Sequence, residues 1–561
     1  MAFFAQVPTL LYTAVVRLDL ASTGDAARLA FGALLWIVLV VLNRGASGAS
    51  PKPSPLEVGA VPSPGRRLKP SEPVRKGRRG ATRFGRAAHS DAAPVMRVPS
   101  GPMPDRRGHA VAGVARPVLL AALVLALPTW ATAWPGTFPA LEAKTLRREQ
   151  DPVIVHTGLL AGLPDRETSR DRLYAVRYGR LEPIPFQFDA RGTDGELILS
   201  GDGAETEFTF GDDDELVFMA KDTGDRAPND LLPATADTAL EFAVIDRARA
   251  GTAWAYLVHF PENPPPRSPV RYATFDTARQ EARALTYEVS YSQDRSNFLR
   301  RVRIHPGDGG EGETFIERLK MRISPTFSFL GTTLHPTLTE ESFSVTQDGL
   351  KNGPVRAIRR VRQSLDLGRM FPDIPNGRVY TYYYATSFQT PARFSVPWLA
   401  LKTLRDFRFE SVDEFGTHNE GMRYWDAANP GGVPFDSGKR PAATDGDHDW
   451  WVVSGARGTC LQALLIPDEW RAWGIKRGVV FMDRADAAMG SGTELGAGYS
   501  LLQMTKLRRA GAYDLGSVFV VLSRPYRPGD ETELLDGVRD PLETEVRVLP
   551  ALVRHASAAR Y

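Results

Sequence analysis

The chain turns into its longest predicted strand at Asn352-Gly353-Pro354-Val355-Arg356, and this stretch decides the fold. Glycine and proline mark the turn, and residues 355–367 have the pattern of an extended strand. Comparable runs surround it, at residues 285–292, 298–305, 315–323, 343–347, 379–388 and 407–412. Long antiparallel strands in this number predict a large curved β-sandwich.

Residues 134–260 have shorter β patterns. Their apolar runs are bounded by Gly, Asp or Pro and include residues 152–155, 196–199, 216–220 and 252–258. Long helical periodicity is nearly absent, and the best helix is a brief one at 467–473. A proline-rich run at 261–269 is stiff and unsuited to a central strand, so we place a domain boundary there. The predicted class is all-β, with a smaller β-sandwich domain at 150–260 and a large β-sandwich domain at 270–550.

The large domain resembles the supersandwich of galactose-mutarotase-like domains, which recurs in polysaccharide lyases and glycan-processing proteins. Residues 341–360 carry this resemblance, because there the turn leads into the long strand. The smaller domain is similar to the leading domain of secreted or periplasmic bacterial β-sandwich proteins. That likeness is carried by Pro183-Ile184-Pro185-Phe186-Gln187-Phe188-Asp189 and by the run 212–220, which begins with four acidic residues. Both resemblances imply an architecture rather than an activity.

An export signal is predicted at residues 115–133. Arg116 precedes a short apolar core at 118–127, and the small residues Ala131 and Ala133 follow it. This is the order of a secretory signal peptide, and the core is about half the roughly 20 residues that a spanning helix needs. Cleavage after Ala133 would give a periplasmic or secreted protein. Without cleavage, the protein would be anchored in the inner membrane and face the periplasm.

Two further segments precede the signal. Residues 1–44 are a candidate transmembrane leader with an uncharged run at 29–42, and residues 7–44 resemble the end of a transporter permease subunit. Residues 45–114 are a predicted disordered basic linker, because they are rich in Pro, Gly, Ala, Ser and Arg and poor in apolar side chains. A cytoplasmic position for this linker agrees with the positive-inside rule.

The charge distribution argues against nucleic acid as a partner of the folded body. Residues 1–133 hold 17 of the 69 Lys and Arg and 6 of the 66 Asp and Glu. The remaining 428 residues therefore hold 52 basic and 60 acidic side chains, a net charge of −8. The positive charge of the whole chain thus lies outside the predicted folded body. The single cysteine, Cys460, lies in an apolar run and is predicted to be a buried hydrophobic residue.

One loop has the composition of a metal site. Asp445, Asp447 and Asp449 stand at alternate positions, as carboxylates do in calcium loops. Trp450 stands where an EF-hand loop has glycine, so a solvated acidic turn is the alternative. No motif requires a cofactor, and structural calcium is the metal that this loop suggests.

A second group has the residue types of a catalytic site. His418, Arg423 and Tyr424 would supply a base, a cation for a uronate carboxylate and an acid for the leaving oxygen in a polysaccharide lyase. An ordinary turn with hydrogen-bonded polar side chains is the alternative.

Three predicted strands carry rows of basic side chains. Because side chains alternate faces along a strand, each row lies on one face. The rows are Arg301 with Arg303 and His305, Arg318 with Lys320 and Arg322, and Arg356 with Arg360 and Arg362. If the strands are neighbours, they form a cationic face for carboxylate, sulfate or phosphate groups. Cross-strand pairing with Asp or Glu is the alternative.

Three functions remain open from the sequence. The first is non-catalytic binding of an anionic glycan or a cell-envelope component by the basic rows. The second is a polysaccharide lyase or other carbohydrate-active enzyme that acts on a uronate-containing glycan. The third is a membrane-tethered accessory subunit of a transport system, with contact to the membrane through the leader.

Overall fold

The computed structural model describes residues 142–199, 208–228, 231–294, 297–329, 332–365, 374–396, 402–415, 421–435, 448–482, 496–504 and 511–549. The predicted leader, linker, signal peptide and cleavage site lie outside the described residues and stay predictions.

The described residues are mostly strand, and the paired strands are antiparallel, which confirms the all-β class. The helices that lie wholly within the described ranges include α1 (Glu469–Ala472), where a brief helix was predicted, and α2 (Asp530–Arg539). Short 3-10 helices in these ranges span Thr157–Leu160, Ala220–Asp222 and Glu340–Ser342. None of the helices in the described ranges is long and apolar enough to cross a membrane.

The smaller sandwich consists of two sheets. The three-stranded sheet has the order β1 (Pro152–His156), β5 (Glu215–Met219), β4 (Phe186–Asp189). The five-stranded sheet has the order β28 (Glu543–Val548), β6 (Thr238–Asp246), β7 (Gly251–His259), β2 (Asp171–Arg177), β3 (Arg180–Pro183). Their facing sides form one core, which includes Phe188, Phe218 and Phe242.

The final strand of the fold belongs to the smaller sandwich. Strand β28 pairs with β6 from Glu543↔Ile245 to Val548↔Leu240. The prediction that the large domain continues to residue 550 is therefore wrong for this strand. Sequence pattern alone gives no pairing partner, because the two strands are about 300 residues apart in the chain.

The large sandwich is built on a nine-stranded sheet. Its order is β16 (Phe343–Asn352), β17 (Ala357–Leu365), β18 (Ile374–Tyr383), β19 (Ser387–Val396), β27 (Gly511–Leu522), β24 (Gly458–Leu465), β23 (Trp450–Gly455), β21 (Arg423–Asp426), β22 (Val433–Pro434). The strand predicted at 379–388 is divided by a turn at residues 384–386. That turn contains neither Gly nor Pro, so its composition gave no signal.

Two further sheets pack on one face of the nine-stranded sheet. The first has the order β12 (Thr314–Ile316), β11 (Leu299–Ile304), β10 (Tyr287–Tyr291), β9 (Glu281–Ala284), β8 (Ala273–Asp276). The second has the order β14 (Thr332–Leu334), β13 (Arg318–Phe329), β20 (Leu404–Phe415), β26 (Gly496–Met504), β25 (Ile475–Met482), and β15 (Leu338–Thr339) also pairs with β13. One aromatic core joins the three sheets, and it includes Tyr287, Phe415, Trp451 and Phe519.

The opposite face of the nine-stranded sheet is covered in two places. Helix α2 packs there on β24, and its Leu535 belongs to one apolar cluster with Leu461 of β24 and Val518 of β27. The three-stranded sheet packs beside the turn that precedes β17, where Val217 and Met219 form one apolar cluster with Val355 and Tyr384. Strand β5 is buried on both sides, because its alternate residues Leu216 and Phe218 face the smaller core. The candidate site lies on this same face of the nine-stranded sheet, in the part that α2 and the three-stranded sheet leave uncovered.

Candidate functional site

The junction of the two sandwiches places two acids side by side. Asp189 and Glu215 stand directly opposite each other on β4 and β5, so their side chains lie on the same face. Both are buried, with 1% and 7% of the side chain exposed. Two opposed carboxylates repel each other, and burial away from water increases that repulsion. The pair therefore requires positive charge from the large sandwich.

Arg356 supplies that charge from the turn before β17. Its guanidinium lies 2.7 Å from Asp189 Oδ2 and 2.5 Å from Glu215 Oε2, and it donates a 3.0 Å hydrogen bond to the Tyr384 hydroxyl. Lys351 Nζ lies 2.8 Å from Asp189 Oδ1, and Arg191 pairs with Glu215. All of the acidic oxygens at the junction thus contact a cation.

Gln187 joins the same two stretches of backbone. Its Oε1 accepts hydrogen bonds from the amides of Val355 and Arg356, at 3.0 and 2.8 Å. Its Nε2 donates to Asp189 at 2.9 Å. The two stretches that carried the family resemblances, 183–189 and 352–356, therefore contact each other directly at the junction.

The electrostatics of the junction argue against acid–base catalysis there. Burial alone would raise the pKa values of Asp189 and Glu215, but Arg356, Lys351 and Arg191 hold both below their ordinary values. A carboxyl pair that shares catalytic work needs one member with a raised pKa to act as the acid. Both carboxylates are ionised and enclosed. Their role is therefore structural, since their ion pairs hold the two sandwiches together.

From this buried cluster, aromatic and basic side chains continue outward along β17 and β18. Arg356 lies over the ring of Tyr382 at 4.9 Å, and Tyr382 stacks on Tyr380 with ring centroids 5.9 Å apart. Arg360 lies over Tyr380 at 5.8 Å and donates to its hydroxyl at 3.3 Å. Exposure rises along this direction, from 2% at the Arg356 side chain to 18% at Arg360.

The exposed end of this face has three arginines in a line across three strands. Arg362 on β17 stands opposite Arg378 on β18, which in turn stands opposite Arg393 on β19. We call Arg362, Arg378 and Arg393 the arginine row. Their side chains are 53%, 44% and 36% exposed. Like charges directly opposite each other destabilise a sheet, so the row needs anions.

Among the described residues, the carboxylates of Asp348, Glu196 and Asp514 contact the row. Asp348 lies 3.2 Å from Arg362 and 2.9 Å from Arg360, Glu196 lies 3.4 Å from Arg378, and Asp514 lies 2.6 Å from Arg393. The hydrogen bond that Arg393 donates to Asp514, followed by the charges of Asp514 and Glu196, raises the pKa of Arg393. Arg393 therefore stays charged beside these carboxylates.

Glu196 reaches this face from the smaller sandwich. It lies in the hairpin that follows β4, where the Gly192 amide donates to the Glu196 carbonyl at 2.8 Å. Its Oε2 accepts a hydrogen bond from the Tyr380 hydroxyl. Burial, with the charge of Glu196, raises the pKa of Tyr380 to about 12, so this phenol is neutral at physiological pH.

The predicted single field of three basic rows is wrong. Alternation places each row on one face as expected, but β11, β13 and β17 belong to three different sheets. The rows also have acidic partners. The ion pairs are Arg301 with Glu281, Arg303 with Glu288, Arg318 and Lys320 with Glu414, Arg322 with Glu410, Arg356 with Asp189 and Glu215, and Arg360 and Arg362 with Asp348. Of the predicted ligand-binding residues, Arg360 and Arg362 lie on the exposed end of the face described above.

The predicted catalytic group does not converge. Tyr424 is completely buried and stacks on Phe481 in the aromatic core, with centroids 4.5 Å apart. Arg423 is the preceding residue of the same strand, so it lies on the opposite face and donates to the carbonyls of Gly431 and Gly432. A joint role for Arg423 and Tyr424 is therefore excluded. His418 lies outside the described residues.

The predicted calcium loop is described only at its last carboxylate. Asp449 contacts two arginines, Arg539 at 2.8 Å and Arg477 at 3.1 Å, and a carboxylate so neutralised is a poor calcium ligand. Asp445 and Asp447 lie outside the described residues. Within the described ranges, no three His, Cys, Asp or Glu side chains are grouped to hold a metal ion. Cys460 is buried, as predicted.

Sequence reasoning missed Arg378, Tyr380, Arg393 and Glu196 among the residues of the site. Arg378 and Tyr380 had a usable signal, because they alternate with apolar residues just before and within the strand predicted at 379–388. Arg393 lies on a strand that was not predicted as such. Glu196 was placed in a short β pattern, and nothing in its neighbourhood indicated contact with residues about 180 positions later.

No family model matches the sequence, and no curated protein matches it. Among solved structures, an alpha-mannosidase from Enterococcus faecalis matches with a TM-score of 0.33 and 10% identity, over 73% of this chain and 45% of its own. The chain thus spans under half of that structure's length. A galactose mutarotase related enzyme from Lactobacillus acidophilus matches with a TM-score of 0.23 and 10% identity, over 44% of this chain and 97% of its own. At these TM-scores the similarities carry no conclusion about activity.

Proposed function

We propose that the chain binds an anionic glycan at the arginine row of the nine-stranded sheet. The observation that carries this proposal is the line of Arg362, Arg378 and Arg393 across three neighbouring strands, each more than a third exposed. Guanidinium groups bind carboxylate and sulfate oxygens in bidentate geometry, and they are less strongly hydrated than ammonium groups.

The neighbouring tyrosines favour a carbohydrate over a small free anion. Tyr380 and Tyr382 present stacked rings beside the row, and a tyrosine provides both an apolar ring and a hydroxyl. A sugar that bears a carboxylate or sulfate has the matching combination of a ring face and a charge. Together with the predicted export signal, this supports a glycan or another component of the cell envelope as the ligand.

A binding measurement in low and high salt tests the proposal. Exposed charges are screened within about 8 Å at physiological ionic strength, so affinity for a polyuronate should fall steeply as salt rises. A neutral glycan of similar length should bind weakly at every salt concentration. The double variant R378Q/R393Q should lose most of the polyuronate affinity while it keeps the wild-type unfolding curve.

Arg408 provides the matched control. It is 49% exposed and ion-paired to Glu410, but it lies on β20 in a different sheet. R408Q should bind the polyuronate as the wild type does. Absence of polyuronate binding at low salt, or equal losses in R408Q and R378Q/R393Q, would reject the arginine row as the binding site.

Lyase activity on a uronate-containing glycan is the second candidate. The hydrogen bonds of Tyr380 favour it, because its neutral hydroxyl donates to Glu196 and accepts from Arg360. A phenol in this position can protonate a leaving oxygen while an arginine holds the uronate carboxylate. Release of unsaturated uronate products by the wild type and its loss in Y380F would support catalysis. Binding without product release would leave non-catalytic binding as the function.

A further inference from the structure

The Glu196 side chain already occupies the middle of the arginine row. Its two carboxylate oxygens have different partners, because Oε2 accepts from the Tyr380 hydroxyl and Oε1 lies 3.4 Å from Arg378 Nη1. Its charge also raises the pKa of Arg393, after the effects of Asp514. A donor hydroxyl and a guanidinium thus bind the two oxygens of one carboxylate.

This carboxylate comes from the other sandwich. Glu196 lies in a hairpin of the smaller sandwich, and two hydrogen bonds hold this hairpin in place. The Arg191 amide donates to Asp214 Oδ1 at 2.6 Å, and the Ile198 amide donates to the Ala190 carbonyl at 2.8 Å. The Leu197 carbonyl of this hairpin accepts from Arg360 at 3.3 Å. The backbone of the hairpin is therefore held independently of the Glu196 carboxylate.

The Glu196 side chain can leave the row without disruption of the hairpin. It is 25% exposed, so it borders solvent, and its own contacts with the row are made by the terminal carboxylate. A partly exposed ion pair of this kind contributes little to stability, so a ligand carboxylate with better geometry can replace it.

We infer that Glu196 occupies the position of a ligand carboxylate, so that the site selects a uronate and a bound uronate displaces Glu196 from Tyr380 and Arg378. This inference rests on the proposed function and specifies its ligand class. The side chain competes with the ligand, and apparent affinity is reduced by the fraction of molecules in which Glu196 occupies the row.

The variant E196Q tests the competition, because it keeps the size of the side chain and removes its charge. If Glu196 occupies the row in about nine molecules of ten, E196Q should bind polyuronate about tenfold more tightly than the wild type. Asp194 provides the matched control. It lies in the same hairpin with an exposed side chain, and D194N changes the net charge by the same amount. Its Oδ1 accepts a hydrogen bond from the Glu196 amide at 3.1 Å, and an asparagine oxygen can accept the same bond. D194N should bind as the wild type does.

The choice of probe tests the ligand class. Polygalacturonate should bind more tightly than a sulfated polymer of equal charge density, because the site pairs one donor with each of two carboxylate oxygens. If the wild type binds polygalacturonate and E196Q binds equally or more weakly, the inference is wrong while the proposed function stands. A preference for the sulfated polymer would also overturn it. If neither wild type nor E196Q binds either polymer at low salt, the proposed function itself fails.

Discussion

Asp413 is an ionisable side chain inside the core of the large sandwich. It lies on β20 on the same face as Phe415, is 3% exposed, and its Oδ2 has no hydrogen-bond partner among the described residues. Burial raises the pKa of this carboxyl from 3.8 to about 7. The folded protein therefore binds a proton at Asp413 over a pH range in which the unfolded chain has released it.

The free energy of unfolding should consequently fall as pH rises from about 4 to about 7 and then level off. The sign follows from linkage, because stability decreases with pH wherever the native state binds more protons than the unfolded state. The loss is on the order of 4 kcal/mol, since each tenfold change in proton affinity is worth about 1.4 kcal/mol. Urea unfolding of wild type and D413N at several pH values measures it. D413N should be less dependent on pH over this interval, whereas the exposed D213N should follow the wild type.

At the scale of elements, the turn before β17 depends on the absence of a side chain at residue 353. A Cβ on Gly353 would lie 2.1 Å from Gln187 Oε1 and 2.4 Å from its Cδ. Gln187 cannot move freely, because it bonds the amides of Val355 and Arg356 and the Asp189 carboxylate. The turn and β4 therefore fit together only with glycine at this position.

The substitution G353A should destabilise the protein by about 1–3 kcal/mol, the usual cost of overpacking a well-packed interior. The urea midpoint of unfolding measures this. Gly431 is the matched control, since a Cβ there meets no atom within 4 Å, and G431A should shift the midpoint little. Similar midpoints for G353A and the wild type would show that the junction is looser than these contacts indicate.

The strands were the most predictable elements, because they depend on local alternation. Residues 343–347 and 355–367 were predicted as strands, and the structure has Phe343–Asn352 and Ala357–Leu365 there. Alternation also predicted that Arg360 and Arg362 share a face. An acidic partner on a neighbouring strand, such as Asp348, could have been expected from the sequence. Glu196 could not, because its contact with Arg378 depends on how the two sandwiches pack.

At the scale of the whole molecule, the chain crosses between the two sandwiches twice. The chain passes from the smaller sandwich through 261–269 to the large one, and it returns through α2 to β28 at the edge of the smaller sandwich. Sequence reasoning treated 261–269 as a simple boundary between successive domains. Sequence reasoning could not detect that the chain returns to the smaller sandwich, because nothing in the sequence of Glu543–Val548 indicates which strand it pairs with.

The final prediction concerns this returning strand. A chain that ends at residue 541 lacks β28, which leaves the backbone groups of β6 unpaired at an open edge and removes Val546, which packs on the smaller core. The amides of β6 should then exchange with deuterium much faster than in the full chain, while those of β17 and β18 in the nine-stranded sheet should change less. A chain that ends at residue 550 keeps β28 and is the control. Because the smaller sandwich also holds Asp189, Glu215 and Glu196, the shorter chain should also lose fixed geometry at the arginine row. Equal protection of β6 in both chains would show that β28 is dispensable for the smaller sandwich.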